Sequence, residues 1–115
     1  MTKPMPKTMS AVLAPIAVGL LASSAWAATP SFDCAKASHE VELLICKDAA
    51  LAEMDHTLNS LYHTLMKHTP ASRQGTLKAE QRGWVKGRND CWKASDMRGC
   101  VASEYQARIA ELKDR

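Results

Sequence analysis

The sequence predicts an all-α fold: a small disulfide-stapled bundle of about four helices, the first one short, preceded by a cleaved signal peptide. Three observations carry this. No stretch alternates apolar and polar residues over a useful length, so nothing reads as a strand. Apolar residues instead recur at spacings of three and four, most clearly Leu51, Met54, Leu58, Leu61 and Leu65. The four cysteines, Cys34, Cys46, Cys91 and Cys100, all fall beyond the leader, and an even number in a small exported chain is the pattern of a disulfide framework.

The leader comes first in the chain. Lys3 and Lys7 precede an uncharged apolar run from Met9 to Leu21, and Ala25-Trp26-Ala27 supplies the small-residue pattern that a signal peptidase needs. Residues 1–27 therefore read as a Sec-type signal peptide cut after Ala27, and 28–115 as one domain. As a membrane span the same stretch is too short and is broken by Pro15 and Gly19, whereas a span needs about 20 apolar residues. A lipobox is missing, because the first cysteine, Cys34, stands several residues beyond the cleavage point. The expected product is periplasmic or secreted, with no stable membrane anchor.

Formal net charge is +3, but Lys3 and Lys7 leave with the signal peptide, so the mature chain is only about one charge positive. Lys78, Arg82, Lys86 and Arg88 alternate in sequence with Glu80 and Asp90, which predicts no continuous cationic stripe and argues against a nucleic-acid partner.

In the mature part, the first helix is short. Ser38 is its candidate N-cap, Glu40 and Glu42 sit in the first turn where the helix dipole favours anions, and Val41, Leu44 and Ile45 form the apolar face up to Cys46. Asp48 caps a longer second helix carrying the leucine stripe, widened by Tyr62 and Met66. That helix stops at Thr69-Pro70, because proline disfavours helical geometry in the residue before it. Ser72 is the candidate cap of a third helix, with Leu77, Gln81, Trp84, Val85 and Arg88 on one side as it approaches Cys91. Gly83 and Gly87 lie on it four apart, either admitting a close neighbour or simply tolerated. A turn from Ala94 to Cys100 leads to a last helix with Val101, Tyr105, Ile109 and Leu112 at helical spacing. Short links between the helices favour antiparallel packing.

On this layout the economical disulfides are the local ones, Cys34–Cys46 across the first helix and Cys91–Cys100 across the last turn, with two long-range pairings as alternatives. Each closed loop, of about 13 and 10 residues, would contribute about 3 kcal/mol in the chain-entropy model. A metal site fits the spacing poorly, since C-x11-C and C-x8-C contain no short knuckle.

Catalytic chemistry finds little support. His56 and His63, seven residues apart, stand about 10 Å from each other along a helix, too far to share one ion. With the leucines facing inward, both face solvent. No Gly-x-Ser-x-Gly elbow is present, and oxidised cysteines are not thiolates. Carboxylates such as Asp33, Asp48, Glu40 and Glu42 read as capping or solvated groups. The chain is therefore expected to be no enzyme, with no catalytic residue, metal or cofactor. The densest cluster of polar and aromatic groups is the third helix, where Glu80, Arg82, Trp84 and Arg88 are the candidate partner-binding residues. The alternative reading puts Trp84 in the core, with Arg82 and Arg88 paired to carboxylates such as Glu80 and Asp55.

An ordered set of residues carries a family resemblance: Ser31-Phe32-Asp33-Cys34-Ala35-Lys36-Ala37, Glu42 to Ile45-Cys46, Leu51-Ala52 and Met54-Asp55 with Leu58 and Tyr62. It continues with Leu77, Ala79-Glu80-Gln81-Arg82, Trp84, Arg88-Asn89 and Cys91, and ends with Cys100, Tyr105, Arg108, Ile109 and Leu112. Together they resemble the N-terminal domain of the LprI lysozyme-inhibitor family, over nearly the whole mature chain. The resemblance implies an exported, helical, disulfide-bonded domain from a family named for a lipoprotein that inhibits c-type lysozyme. Two departures are expected, the missing lipobox and no further C-terminal domain. Two functions follow: a periplasmic inhibitor that occludes the cleft of c-type lysozyme, or a non-catalytic binding or structural module of the envelope with another envelope protein as partner. A near-neutral mature chain is a poor overall electrostatic match for a strongly cationic lysozyme.

Overall fold

The computed structural model describes residues 29–115; the expected signal peptide 1–27 and the expected cleavage after Ala27 lie outside the described residues. A 3-10 turn at Cys34–Lys36 precedes α1 (Glu40–Lys47), α2 (Ala49–His68) and α3 (Ala71–Asn89), and a second 3-10 turn at Asp90–Lys93 leads to α4 (Met97–Lys113). The fold is all-α, with no strand among the described residues.

Local chemistry sets most boundaries. The Asp33 carboxylate accepts from the Ala35 N–H and starts the first 3-10 turn. Asp48 Oδ1 accepts from the N–H groups of Ala50 and Leu51, at 3.0 and 3.1 Å, and caps α2. At the far end of α2 Thr69 takes an extended conformation before Pro70, and its hydroxyl donates to the Leu65 carbonyl.

Three starts differ from the sequence expectation. His39, not Ser38, caps α1, its Nδ1 accepting from the Val41 N–H at 3.1 Å. Ser72 lies inside α3, which begins at Ala71; the fixed φ of Pro70 ends one helix and leads directly into the next. α4 begins at Met97 rather than near Val101, because Asp96 Oδ1 accepts from the Gly99 N–H at 2.9 Å and caps it early. Cys100 thus belongs to the first turn of α4.

The structure joins Cys34 to Cys46 with Cα atoms 6.0 Å apart, and Cys91 to Cys100 with Cα atoms 5.6 Å apart. Both spans lie in the usual range for a disulfide. One bond ties the N-terminal segment along α1, and the other ties the end of α3 to the start of α4.

α4 is the central element, packed against both α2 and α3, while α1 packs on α2 and reaches α3 and α4. Arg98 meets Asp48 and Tyr105 meets Asp55, both pairs 50 residues apart, so α2 and α4 run parallel. Trp84 bonds to Glu104 and Gln81 to Arg108, a register that runs α3 antiparallel to α4. α2 and α3 turn back on each other at Thr69-Pro70 yet make almost no direct backbone contact. The core combines Val41 and Ile45 of α1, Leu51 and Leu58 of α2, and Val101, Tyr105 and Leu112 of α4, with Cys91. Burial of these side chains is the main drive to fold.

Candidate functional site

α3 brings few apolar side chains inward. Leu77 is buried, and Trp84 and Val85 are half-buried. Polar groups fasten the rest. Trp84 Nε1 donates to the Glu104 carbonyl at 3.2 Å, and its ring meets Tyr105 edge-on with centroids 4.9 Å apart.

Beneath Trp84, Arg88 is only 4% exposed. Its Nη1 donates to the Tyr105 hydroxyl at 3.0 Å, and Nε and Nη2 donate to Asn89 Oδ1 at 3.1 and 2.8 Å. Tyr105 in turn donates to Asp55 Oδ1 at 2.7 Å, and Arg88 Nη1 stands 3.9 Å from the same oxygen. The second Asp55 oxygen accepts from the Ser31 N–H. Phe32, Trp84 and Tyr105 surround the guanidinium, with ring centroids 5.8, 5.6 and 6.0 Å from its Cζ. Burial, ahead of the neighbouring charges, pushes the Tyr105 hydroxyl well above the ordinary tyrosine range. Every oxygen of this network is engaged, so its chemistry is to fix the N-terminal segment, α2, α3 and α4 against one another.

A second buried arginine ties α3 to α4 further along. Arg108 donates from Nε and Nη2 to Gln81 Oε1 at 3.1 and 2.9 Å, and from Nη1 to Glu111 Oε1 at 2.8 Å. The bond from Arg108 holds the Glu111 carboxyl below its usual range. At the opposite end Asp48 accepts from Arg98 Nε at 2.6 Å, and that bond, followed by the Leu51 N–H, holds its carboxyl low.

These bonds decide where the four candidate binding residues go. Trp84 and Arg88 turn toward α4, while Glu80 and Arg82 stay exposed. Glu80 pairs with Arg115 at 2.8 Å, and Arg82, two residues on, lies about 200° further round the helix. The four therefore do not share one outward face. Arg88 reaches Asp55 largely through Tyr105, which sequence periodicity marked only as an apolar position. A carboxylate at Asp55 and a guanidinium at Arg108, each on an otherwise apolar stripe, were the available signals for buried charges needing partners.

The cations of α3 also depart from the sequence expectation. Lys78, Arg82 and Lys86 recur every four residues, so the helix sorts them onto one side, away from Glu80. They edge a groove of about 770 Å³ between α2 and α3 whose apolar lining is Tyr62, Met66 and Val85. A smaller groove of about 450 Å³ lies at the Thr69-Pro70 end, beside Leu65, Leu77 and Arg115. His56, His63 and His68 are exposed. Among the described residues no group of three or more His, Cys, Asp or Glu side chains is placed to hold a metal ion, and no helix is long and apolar enough to cross a membrane.

Comparison with known proteins places this geometry. The lipoproteins LprI of Mycobacterium bovis and Mycobacterium tuberculosis are each 35% identical to it over 82 residues, which is 71% of this chain and 40% of theirs. The chain thus spans about 40% of the length of these curated relatives. No solved structure matches. The family model described as lysozyme inhibitor LprI matches residues 31–112, from the backbone N–H that Asp55 accepts to the last buried leucine, and the chain belongs to that family.

Proposed function

We propose that this protein is exported by residues 1–27, cleaved after Ala27, and acts in the periplasm as an inhibitor that binds c-type lysozyme and occludes its cleft. The match of residues 31–112 to the lysozyme inhibitor LprI family carries the reading. Two disulfides in a domain of this size suit an oxidising compartment outside the cytoplasm. α3 supplies the contact in this reading through exposed Arg82, while Glu80, paired with Arg115, lies off that face and Trp84 and Arg88 hold the helix in position from behind. In this reading the domain works by occupying space that substrate would fill.

The processed, disulfide-bonded protein, recovered from the periplasm and added in micromolar excess, should slow lysis of cell-wall suspensions by c-type lysozyme. Its N-terminal sequence should begin at Ala28. Unchanged lysis by c-, g- and i-type enzymes alike would overturn the inhibitor reading and leave a non-catalytic envelope module, for which pull-down from periplasmic extract would identify the partner.

A further inference from the structure

A near-neutral domain gains little from long-range attraction, so contact with an enzyme must come from local complementarity. We infer that the Lys78, Arg82 and Lys86 side of α3 enters the cleft of lysozyme, with the Arg82 guanidinium bound to the catalytic carboxylate pair; this rests on the inhibitor reading above.

The three cations stand about 6 Å apart in steps along the helix axis, all exposed. Among the described residues none of them forms an ion pair; Lys36, Lys47, Lys67, Arg73 and Lys113 form none either, but they are scattered over the other elements and the far end of α3, whereas these three sit within nine residues on one helix side. The lining of the groove beside them contains no carboxylate. This is a concentration of positive charge that the fold itself leaves uncompensated, on a chain whose total charge is close to zero once Lys3 and Lys7 are removed. Its complement is a compact anionic site.

The surface next to the stripe is unusually low. Gly75, Ala79, Gly83 and Gly87 also recur every four residues, all exposed. A methyl group added at Gly75 or Gly83 would meet nothing within 4 Å, and one at Gly87 would meet only Glu104 Oε1 at 3.9 Å. Packing inside the domain therefore does not require these glycines, although each lowers helix stability relative to alanine. They keep α3 a slender ridge beside its cations, with the apolar edge of Tyr62, Met66 and Val85 across the groove.

Lysozyme offers the matching chemistry. As a retaining glycosidase it holds two carboxyl groups about 5 to 5.5 Å apart across the scissile bond, inside a cleft. An arginine fork engages carboxylate oxygens in two directions, and lysines one helical turn to either side add point charges along the same cleft. Short-range pairing inside the cleft can prevail over like net charge, because charges beyond about 8 to 10 Å are screened at physiological salt.

The test compares two charge-matched variants of the processed protein, each shown to be folded by circular dichroism and thermal melting. One combines Lys78→Glu, Arg82→Glu and Lys86→Glu; the other combines Lys36→Glu, Lys47→Glu and Lys113→Glu, three exposed lysines on other elements. The first should weaken inhibition of c-type lysozyme at least 30-fold and the second less than threefold. A lysozyme whose catalytic carboxylates are changed to amides should bind the wild-type inhibitor at least 10-fold more weakly by calorimetry. Inhibition by the wild type that survives the first variant to within threefold would overturn this inference and leave the inhibitor reading standing. No inhibition by the wild type would overturn both.

Discussion

Tyr105 joins the two buried charges of the domain, donating to Asp55 while accepting from Arg88. Tyr105→Phe keeps the ring against Trp84 but leaves both charges short of a partner in a place that water does not reach. Leaving buried polar groups unsatisfied costs about 1 to 3 kcal/mol, more where they are charged. Urea unfolding of Tyr105→Phe should therefore show a loss of about that size with an unchanged m value; a loss below about 0.5 kcal/mol would show that the network adds little. The pH dependence has a definite sign. The folded-state hydroxyl titrates above its ordinary value of 10.0, so its contribution is complete below pH 10.0 and is lost as pH rises beyond it. Wild-type stability should consequently fall more steeply above pH 10.0 than that of the Phe variant. Asp55 and Arg88 were both visible in the sequence, and their pairing was one of its readings. The hydroxyl between them was not, because Tyr105 also fits an apolar stripe.

Among the elements, α3 differs from the others in being held mainly by polar groups. Leu77 is its one buried apolar residue, and Trp84, Arg88 and Gln81 supply directed bonds to α4. That leaves its outer side free of packing duties. Gly83→Ala should raise stability by about 0.5 to 1 kcal/mol, since the new methyl meets nothing and the unfolded chain loses freedom. Gly99→Ala should do the reverse. A methyl there would collide with the Asp96 carboxylate that caps α4, and a lost cap costs about 1 kcal/mol. Thermal melts of the two variants should shift in opposite directions; a fall for Gly83→Ala would refute this account of α3, and a rise for Gly99→Ala would refute the Asp96 cap of α4. Two of the three boundaries missed at the sequence level, the starts of α1 and α4, were those where two polar candidates stood close together; at the third, Pro70 begins α3 without a side-chain cap. Ser38 and His39 compete for one cap, and Asp96 claims Met97-Arg98-Gly99 for α4 although those residues resemble a turn.

At the scale of the whole molecule, the two disulfides constrain different parts. Cys91 is 2% exposed, within the core, and only its partner Cys100 is half-buried, whereas Cys34 and Cys46 are both half-buried, so the first bond offers two reachable sulfurs against one. Thiol–disulfide exchange requires access of the attacking thiolate to a sulfur. Graded reductant followed by thiol trapping and mass spectrometry should therefore find Cys34–Cys46 opened first. Each opening should lower stability by about 3 kcal/mol. Prior opening of Cys91–Cys100 would contradict the burial pattern. Loss of the first bond frees the segment whose Ser31 N–H and Phe32 ring complete the site around Asp55 and Arg88, so the two devices act on the same core.

Helical class, the cysteine framework, the Asp48 and Pro70 boundaries and the family were legible in the sequence, because each rests on local periodicity, capping chemistry or an ordered set of residue types. The starts of α1, α3 and α4 were legible only to within a few residues. Tertiary structure alone decided that α2 and α4 run parallel, that Asp55 and Tyr105 meet across 50 residues, and that Trp84 and Arg88 face inward while Arg82 faces out. Those outcomes depend on how elements far apart in sequence come into register and which helix faces they bury, and no local pattern encodes that.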